Sequence, residues 1–72
     1  MNKEQFLNEL QDVLQRDDAV NENDNLSDYE EWDSLSKMAI MAFFDKRLGK
    51  KISLKELSEL ETVSDLLKLA GL

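Results

Sequence analysis

The chain of 72 residues contains no cysteine, no histidine and no proline. Without cysteine there are no disulfide bonds and no thiolate chemistry, and without histidine the commonest general base and metal ligand is missing. No apolar run approaches the roughly 20 residues that a membrane-spanning helix needs. A chain this short also has a core too small for a deep catalytic cleft. We therefore predict one domain over residues 1–72 that is not an enzyme and does not span a membrane.

Basic residues are scarce in the first half of the chain. The net charge is −7, yet residues 1–33 carry two bases and eleven acids, whereas residues 34–72 carry seven bases and five acids. Phosphate backbones repel an acidic protein, so we expect no nucleic-acid partner and favour a basic or mixed-charge protein surface instead. The N-terminal residues lack the basic and apolar regions of a signal peptide, which favours a cytoplasmic location. We expect a monomer.

The spacing of the apolar residues predicts an all-α protein. The expected architecture is a four-helix bundle with a short third helix and a long loop between helices one and two. The predicted helices run from about Lys3 to Gln15, from Ser34 to Leu48, from Leu54 to Leu60 and from Val63 to Gly71. Gly49 provides a stop signal for the second helix, Ser53 and Glu56 have the spacing of a capping box, and Thr62 can cap the last helix.

The predicted loop runs from Asp17 to Asp33 and contains eight acids and no bases. Its main apolar residues are Leu26, Tyr29 and Trp32, which we expect to pin the loop to the core. The acids do not form a calcium loop of the EF-hand type, because that loop requires a central glycine and none is present. A solvated loop is the expected structure, with a weak cation site as the alternative.

Ser34 lies where this loop becomes the second helix, between Asp33 and Leu35. A serine at that position can cap the helix through its hydroxyl. The hydroxyl would also lie beside a helix N-terminus, where the backbone N–H groups and the helix dipole favour a phosphate group. Ser34 is therefore a candidate site for a phosphodiester, and a simple capping role is the alternative.

The order of these features resembles an acyl carrier protein over essentially the whole chain. The joint spacing carries the resemblance: Asp33-Ser34-Leu35, Leu48, Ile52, Leu60, Thr62-Val63 and the final helix. The resemblance implies that Ser34 accepts 4′-phosphopantetheine from coenzyme A through a phosphopantetheinyl transferase, with Leu35 in the surface that this transferase contacts. It further implies that acyl or aminoacyl groups are carried as thioesters from a loading enzyme to a downstream transferase or synthase.

Helix two is apolar over more than one face. If Ile40, Met41 and Phe44 face the core, other apolar side chains of the helix lie toward the prosthetic arm and a partner. The helix also carries basic residues, whereas carriers of the fatty-acid pathway typically keep it acidic, so we favour a specialised stand-alone carrier. The predicted partner-recognition residues are Asp33, Leu35, Lys37, Met38, Ala42, Lys46 and Arg47.

Three functions are compatible with the sequence. The first is the phosphopantetheinylated carrier, in which the bulky Phe43 and Phe44 predict only a short cargo cavity between helices two and three. The second is an unmodified helical adaptor that binds a partner through helix two. The third is a small regulatory protein that binds a cation through the acidic loop.

Overall fold

The computed structural model describes residues 1–72 and is built from helices without β-strands. Its α-helices are α1 (Lys3–Leu14), α2 (Ser34–Phe43), α3 (Leu54–Ser58) and α4 (Val63–Ala70). The all-α prediction with a short third helix and a long connection before the second is confirmed. None of the helices is long and apolar enough to cross a bilayer.

Each α-helix begins with a capping box, in which the cap side chain and the side chain three residues later bond to each other's backbone N–H groups. The four boxes pair Asn2 with Gln5, Asp33 with Ser36, Ser53 with Glu56, and Thr62 with Asp65. The caps predicted at Ser53 and Thr62 are confirmed. Local hydrogen bonds therefore fix where the helices begin, including the short α3.

The second helix differs from the prediction of one α-helix from Ser34 to Leu48. The α-helix ends at Phe43, and a wider π-helical turn (Phe44–Leu48) continues to Gly49, which adopts a left-handed conformation with φ of 64°. The wide turn begins where two consecutive aromatic residues are both buried. Side chains that follow each other on a regular α-helix point about 100° apart, so the burial of both rings favours a local change of pitch.

Fourteen buried hydrophobic residues form one core, and no polar side chain is buried with them. At one end of this core the ring of Phe6 lies 5.7 Å from that of Phe43 and 5.9 Å from that of Phe44, measured between centroids. Aromatic pairs at this separation add to the stability that burial of their area provides. The first helix is thereby held against the end of the second.

The long loop is ordered because it is tied to the start of α4. The N–H groups of Val63 and Ser64, which have no partner inside α4, donate to the carbonyls of Asp24 and Glu22 over 3.1 and 2.9 Å. In the opposite direction the N–H of Leu26 donates to the carbonyl of Glu61 over 2.8 Å. These bonds satisfy backbone hydrogen-bonding groups of both the loop and the first turn of α4. The loop therefore follows a fixed path across the bundle.

Two of the three predicted loop anchors are buried. Leu26 lies in a 3₁₀ turn (Leu26–Asp28) and is fully inaccessible, and Tyr29 is buried just after that turn. Trp32 is only partly buried, although it packs against the core. Val20 is a further buried anchor that the apolar spacing did not single out.

Candidate functional site

The start of α2 is capped by Asp33 and not by Ser34. The Asp33 carboxylate accepts a hydrogen bond from the N–H of Ser36 over 2.8 Å, and the Ser36 hydroxyl accepts one from the N–H of Asp33 over 3.0 Å. Ser34 is the first residue of the helix itself. The alternative of Ser34 as a helix cap is therefore wrong, because the aspartate before it already occupies that position.

The Ser34 hydroxyl is exposed, and no hydrogen bond within the protein uses it. The N–H groups of Ser34 and Leu35 have no partner within the protein either, as expected for the first turn of a helix. Together with the helix dipole, which places about half a positive charge at this end, they favour a phosphate group on the hydroxyl. The local residues therefore fit a phosphodiester at Ser34.

The α2 helix has a buried face and an exposed apolar face. Ile40 is fully buried, whereas Leu35 is 77% exposed and Met38 is 59% exposed. Ala42 is exposed on the same helix, one turn after Met38. The predicted division is confirmed for the buried Ile40 and Phe44, whereas Met41, also expected to face the core, is only partly buried. The outward-facing residues begin directly beside Ser34.

The three basic residues predicted to meet a partner lie in different environments. The Lys37 ammonium lies 5.4 Å from the centre of the Trp32 ring, a distance at which the ring attracts a cation. The Arg47 guanidinium forms an ion pair with Glu9 of α1, with a nitrogen–oxygen distance of 2.9 Å. Lys46 is exposed and takes part in no ion pair. Of the three, Lys46 therefore presents the most accessible charge.

Shallow grooves lie on either side of the exposed face of α2. The first, of about 290 Å³, lies between the end of α1 and the start of α2, with Glu31, Asp33 and Leu35 among its lining residues. The second, of about 280 Å³, lies between α2 and the segment before α3 and is lined by Met41, Ala42 and Ile52 with two charged neighbours. The sequence predicted a cargo cavity between helices two and three, whereas this groove reaches only the segment before α3.

Arg16 forms a cluster of contacts that the sequence reasoning missed. Its guanidinium lies 3.9 Å from the centre of the Tyr29 ring and donates a hydrogen bond to Glu31 over 2.9 Å. The Tyr29 hydroxyl in turn donates to the Asp24 carboxylate over 2.7 Å. Arg16 is the only base between Lys3 and Lys37, and a lone base next to an acidic loop was the available signal.

Burial and the Asp24 carboxylate raise the pKa of Tyr29 to about 12, because both disfavour the phenolate. The hydrogen bond from Tyr29 lowers the pKa of Asp24, since it stabilises the carboxylate. The acidic side chains of the loop do not converge further: no group of three or more is placed to hold a metal ion. The cation-binding alternative has no ligand cluster in this structure.

The Ser34 hydroxyl differs from those of the other exposed serines in its place at the first turn of a longer helix, and no base is hydrogen-bonded to it. A family model described as the phosphopantetheine attachment site matches residues 4–70. The chain therefore belongs to the phosphopantetheine-attachment family, whose domains bear covalent 4′-phosphopantetheine and act as carriers and not as catalysts. No curated protein and no solved structure matches the chain significantly.

Proposed function

We propose that Ser34 bears the 4′-phosphopantetheine and that the protein carries acyl or aminoacyl groups on it between partner enzymes. The observation that carries this proposal is the exposed, unbonded hydroxyl of Ser34 at the first turn of α2, within the segment that matches the family. Neighbouring serines are less suitable. The hydroxyl of Ser36, for example, is engaged in the capping box.

The attachment step needs little from this chain. The Oγ of Ser34 attacks the pantetheine-linked phosphorus of coenzyme A, and the Oγ–P bond forms as the P–O bond to the adenosine bisphosphate leaving group breaks. The transferase accepts the hydroxyl proton and supplies Mg²⁺. Ser34 provides an accessible nucleophile, and the free N–H groups beside it favour the negative charge of the product. When attached, the group supplies a thiol that holds cargo as a thioester.

The exposed face of α2 is the proposed recognition surface for partner enzymes. Leu35, Met38 and Ala42 offer an apolar strip next to the attachment residue, and Lys46 adds an accessible charge at its far end. A phosphopantetheinyl transferase, a loading enzyme and a downstream transferase or synthase would all bind here. Because the charge of this face is mixed, enzymes whose surfaces are complementary to acidic carriers should bind it weakly. We therefore propose a specialised carrier outside fatty-acid synthesis.

Short or polar cargo suits this protein better than a long fatty chain. The groove between α2 and the segment before α3 is shallow, and Asp45 and Lys51 stand beside its apolar residues. The buried Phe43 and Phe44 rings fill the adjacent core, and they lie 6.0 Å apart between centroids. A long apolar chain would have to displace these rings, whereas a few methylenes fit the existing groove.

Intact-mass measurement tests the attachment. Incubation with a broad-specificity phosphopantetheinyl transferase, Mg²⁺ and coenzyme A should add the mass of one phosphopantetheinyl group to the parent protein and nothing to Ser34→Ala. The matched control is Ser27→Ala, which removes another exposed serine and should be modified like the parent. An unmodified parent would favour the helical adaptor, whose binding needs no prosthetic group.

A further inference from the structure

We propose that Arg16 is a positioning residue for the modification of Ser34. It lies 18 positions earlier in the chain but reaches the segment that leads directly into α2. The inference rests on the proposed attachment at Ser34. Arg16 is not expected to touch coenzyme A or the reacting atoms, and it acts by holding the residues before Ser34 in place.

The backbone of Arg16 is fixed at the end of α1. Gln15 adopts a left-handed conformation after the last helical residue, and the N–H of Arg16 donates to the carbonyl of Gln11 over 3.1 Å. The Gln11 side-chain amide donates back to the carbonyl of Arg16 over 3.2 Å. The guanidinium therefore extends from a rigid base, which is what a side chain needs if it is to hold another segment.

The guanidinium is held from two directions by the loop. It stacks on the ring of Tyr29 and pairs with the carboxylate of Glu31, and its side chain is only 14% exposed. Its Nε is buried and has no hydrogen-bond partner, so the guanidinium is partly dehydrated. The contacts with Tyr29 and Glu31 must therefore hold the charge in place. An ion pair that is shielded from solvent is stronger than one on an open surface. Lysine cannot reproduce the contact of the planar guanidinium with the Tyr29 ring while it also pairs with Glu31.

The segment that Arg16 holds packs against the core through Trp32 but has few other polar attachments. Residues 30–32 form no backbone hydrogen bond to any of the four α-helices, and their backbone bonds run only within residues 29–33. Within this segment the only side-chain hydrogen bond to the end of α1 is the one between Glu31 and Arg16. Arg16 is therefore the polar connection that ties the entry of α2 to α1.

This connection also shapes the surface beside the attachment residue. Glu31, Asp33 and Leu35 line the groove between α1 and α2, and Ser34 lies between the last two in sequence. Loss of the Arg16 contact would free Glu31 and loosen the turn that places Asp33. Because group transfer requires the hydroxyl at a defined position in the transferase, a small displacement lowers the rate strongly.

The experiment compares Arg16→Gln and Arg16→Lys with Lys3→Gln as the matched control. Lys3 of α1 forms an exposed ion pair with Glu22 of the same loop over 3.6 Å, so the control also removes one positive charge that pairs with a loop carboxylate. Two readouts are measured at a temperature where thermal melting shows each variant to be folded. One is kcat/KM for phosphopantetheinylation, and the other is acrylamide quenching of Trp32, the only tryptophan.

Arg16→Gln should lower kcat/KM roughly tenfold and increase the quenching of Trp32. Arg16→Lys should fall between Arg16→Gln and the parent in both readouts, because it keeps the charge and loses the stacking. If Arg16→Gln does not fold, the lysine variant alone must show both a lower kcat/KM and a greater quenching of Trp32 than the parent. Lys3→Gln should stay within about twofold of the parent, because exposed ion pairs contribute little.

Unchanged kcat/KM in folded Arg16→Gln would overturn the positioning role. An equal loss in Lys3→Gln would also overturn it, since any weakening of the loop would then have the same effect. A deficit that disappears on cooling, as the folded fraction rises, would show that Arg16 contributes only to stability. If the parent protein is not modified at all, the proposed function fails and the positioning role fails with it.

Discussion

The start of α2 gives the sharpest prediction, because two adjacent residues should have opposite roles. Ser34→Ala should abolish attachment and leave the fold intact, whereas Asp33→Ala should destabilise the fold. Ser34 forms no side-chain hydrogen bond and is exposed, so its truncation removes no contact within the protein. Asp33 provides the cap, with its carboxylate 2.8 Å from the N–H of Ser36.

The expected free energies differ clearly. Substitution of an exposed residue without contacts changes the free energy of unfolding by less than about 0.5 kcal/mol. Loss of an aspartate cap costs about 0.5–2 kcal/mol, to which the lost interaction with the helix dipole contributes. In a domain of this size 1 kcal/mol corresponds to a change in melting temperature of about 4–8 °C. Asp33→Ala should thus melt several degrees below the parent, and Ser34→Ala no more than about 2–4 °C from it.

The assay is thermal melting followed by circular dichroism, together with intact mass after treatment with the transferase. Asp33→Asn is the matched control, because an asparagine caps a helix about as well as an aspartate. It should restore most of the lost stability. A destabilisation of Ser34→Ala as large as that of Asp33→Ala would refute the reasoning, and so would modification that persists in Ser34→Ala.

Other predictions follow from the core, the loop and the exposed face. Phe44→Ala should lower the free energy of unfolding by about 3–5 kcal/mol. This is a large part of the roughly 4–11 kcal/mol expected for a domain of this size, and urea unfolding measures the loss. Because the pKa of Tyr29 is raised to about 12, folding favours the protonated phenol. The free energy of unfolding should therefore fall as the pH rises from about 10 to 12. The melting temperature of Tyr29→Phe should decline less over this range. Lys46→Glu should slow binding to the cognate partner and reduce its salt dependence, measured by stopped-flow association at several salt concentrations. A hexanoyl thioester on the prosthetic group at Ser34 should raise the melting temperature, since each buried methylene adds at most about 0.8 kcal/mol. A palmitoyl thioester should raise it no further, because the groove is short.

Each of these has a clear contrary result. A small effect of Phe44→Ala would mean that the aromatic cluster is not central to the core, and Leu35→Ala, at an exposed position, is its control. Equal alkaline decline in Tyr29→Phe would assign the pH dependence to other groups. Unchanged association of Lys46→Glu would separate its charge from partner choice. A melting temperature that continued to rise up to palmitoyl would contradict a short groove.

Local sequence signals predicted much of the fold. Capping boxes and left-handed glycines act over four or five residues, so the starts at Ser53 and Thr62 and the stop at Gly49 could be inferred directly. The apolar spacing also separated buried Ile40 from exposed Met38. The exposed serine at the start of α2 followed from the same local pattern.

Interactions between distant segments could not be predicted in this way. The contact between the rings of Phe6 and Phe43, for example, joins residues 37 positions apart in sequence. The ion pair between Arg47 and Glu9 and the contacts of Arg16 likewise join segments whose approach the apolar period does not specify. The capping role that was left open as an alternative for Ser34 belongs to Asp33: both residue types favour that position, and only the backbone geometry distinguishes them.

The π-helical turn has a consequence for aligning this chain with other carriers. A π-helical turn accommodates one more residue than an α-helical turn, so positions after Phe43 are rotated relative to a helical wheel drawn from Ser34. A wheel that treats the segment as one regular helix would assign Asp45, Lys46 and Arg47 to the wrong faces. The charges of this segment should therefore be compared with those of other carriers by their positions in space and not by their positions on a wheel.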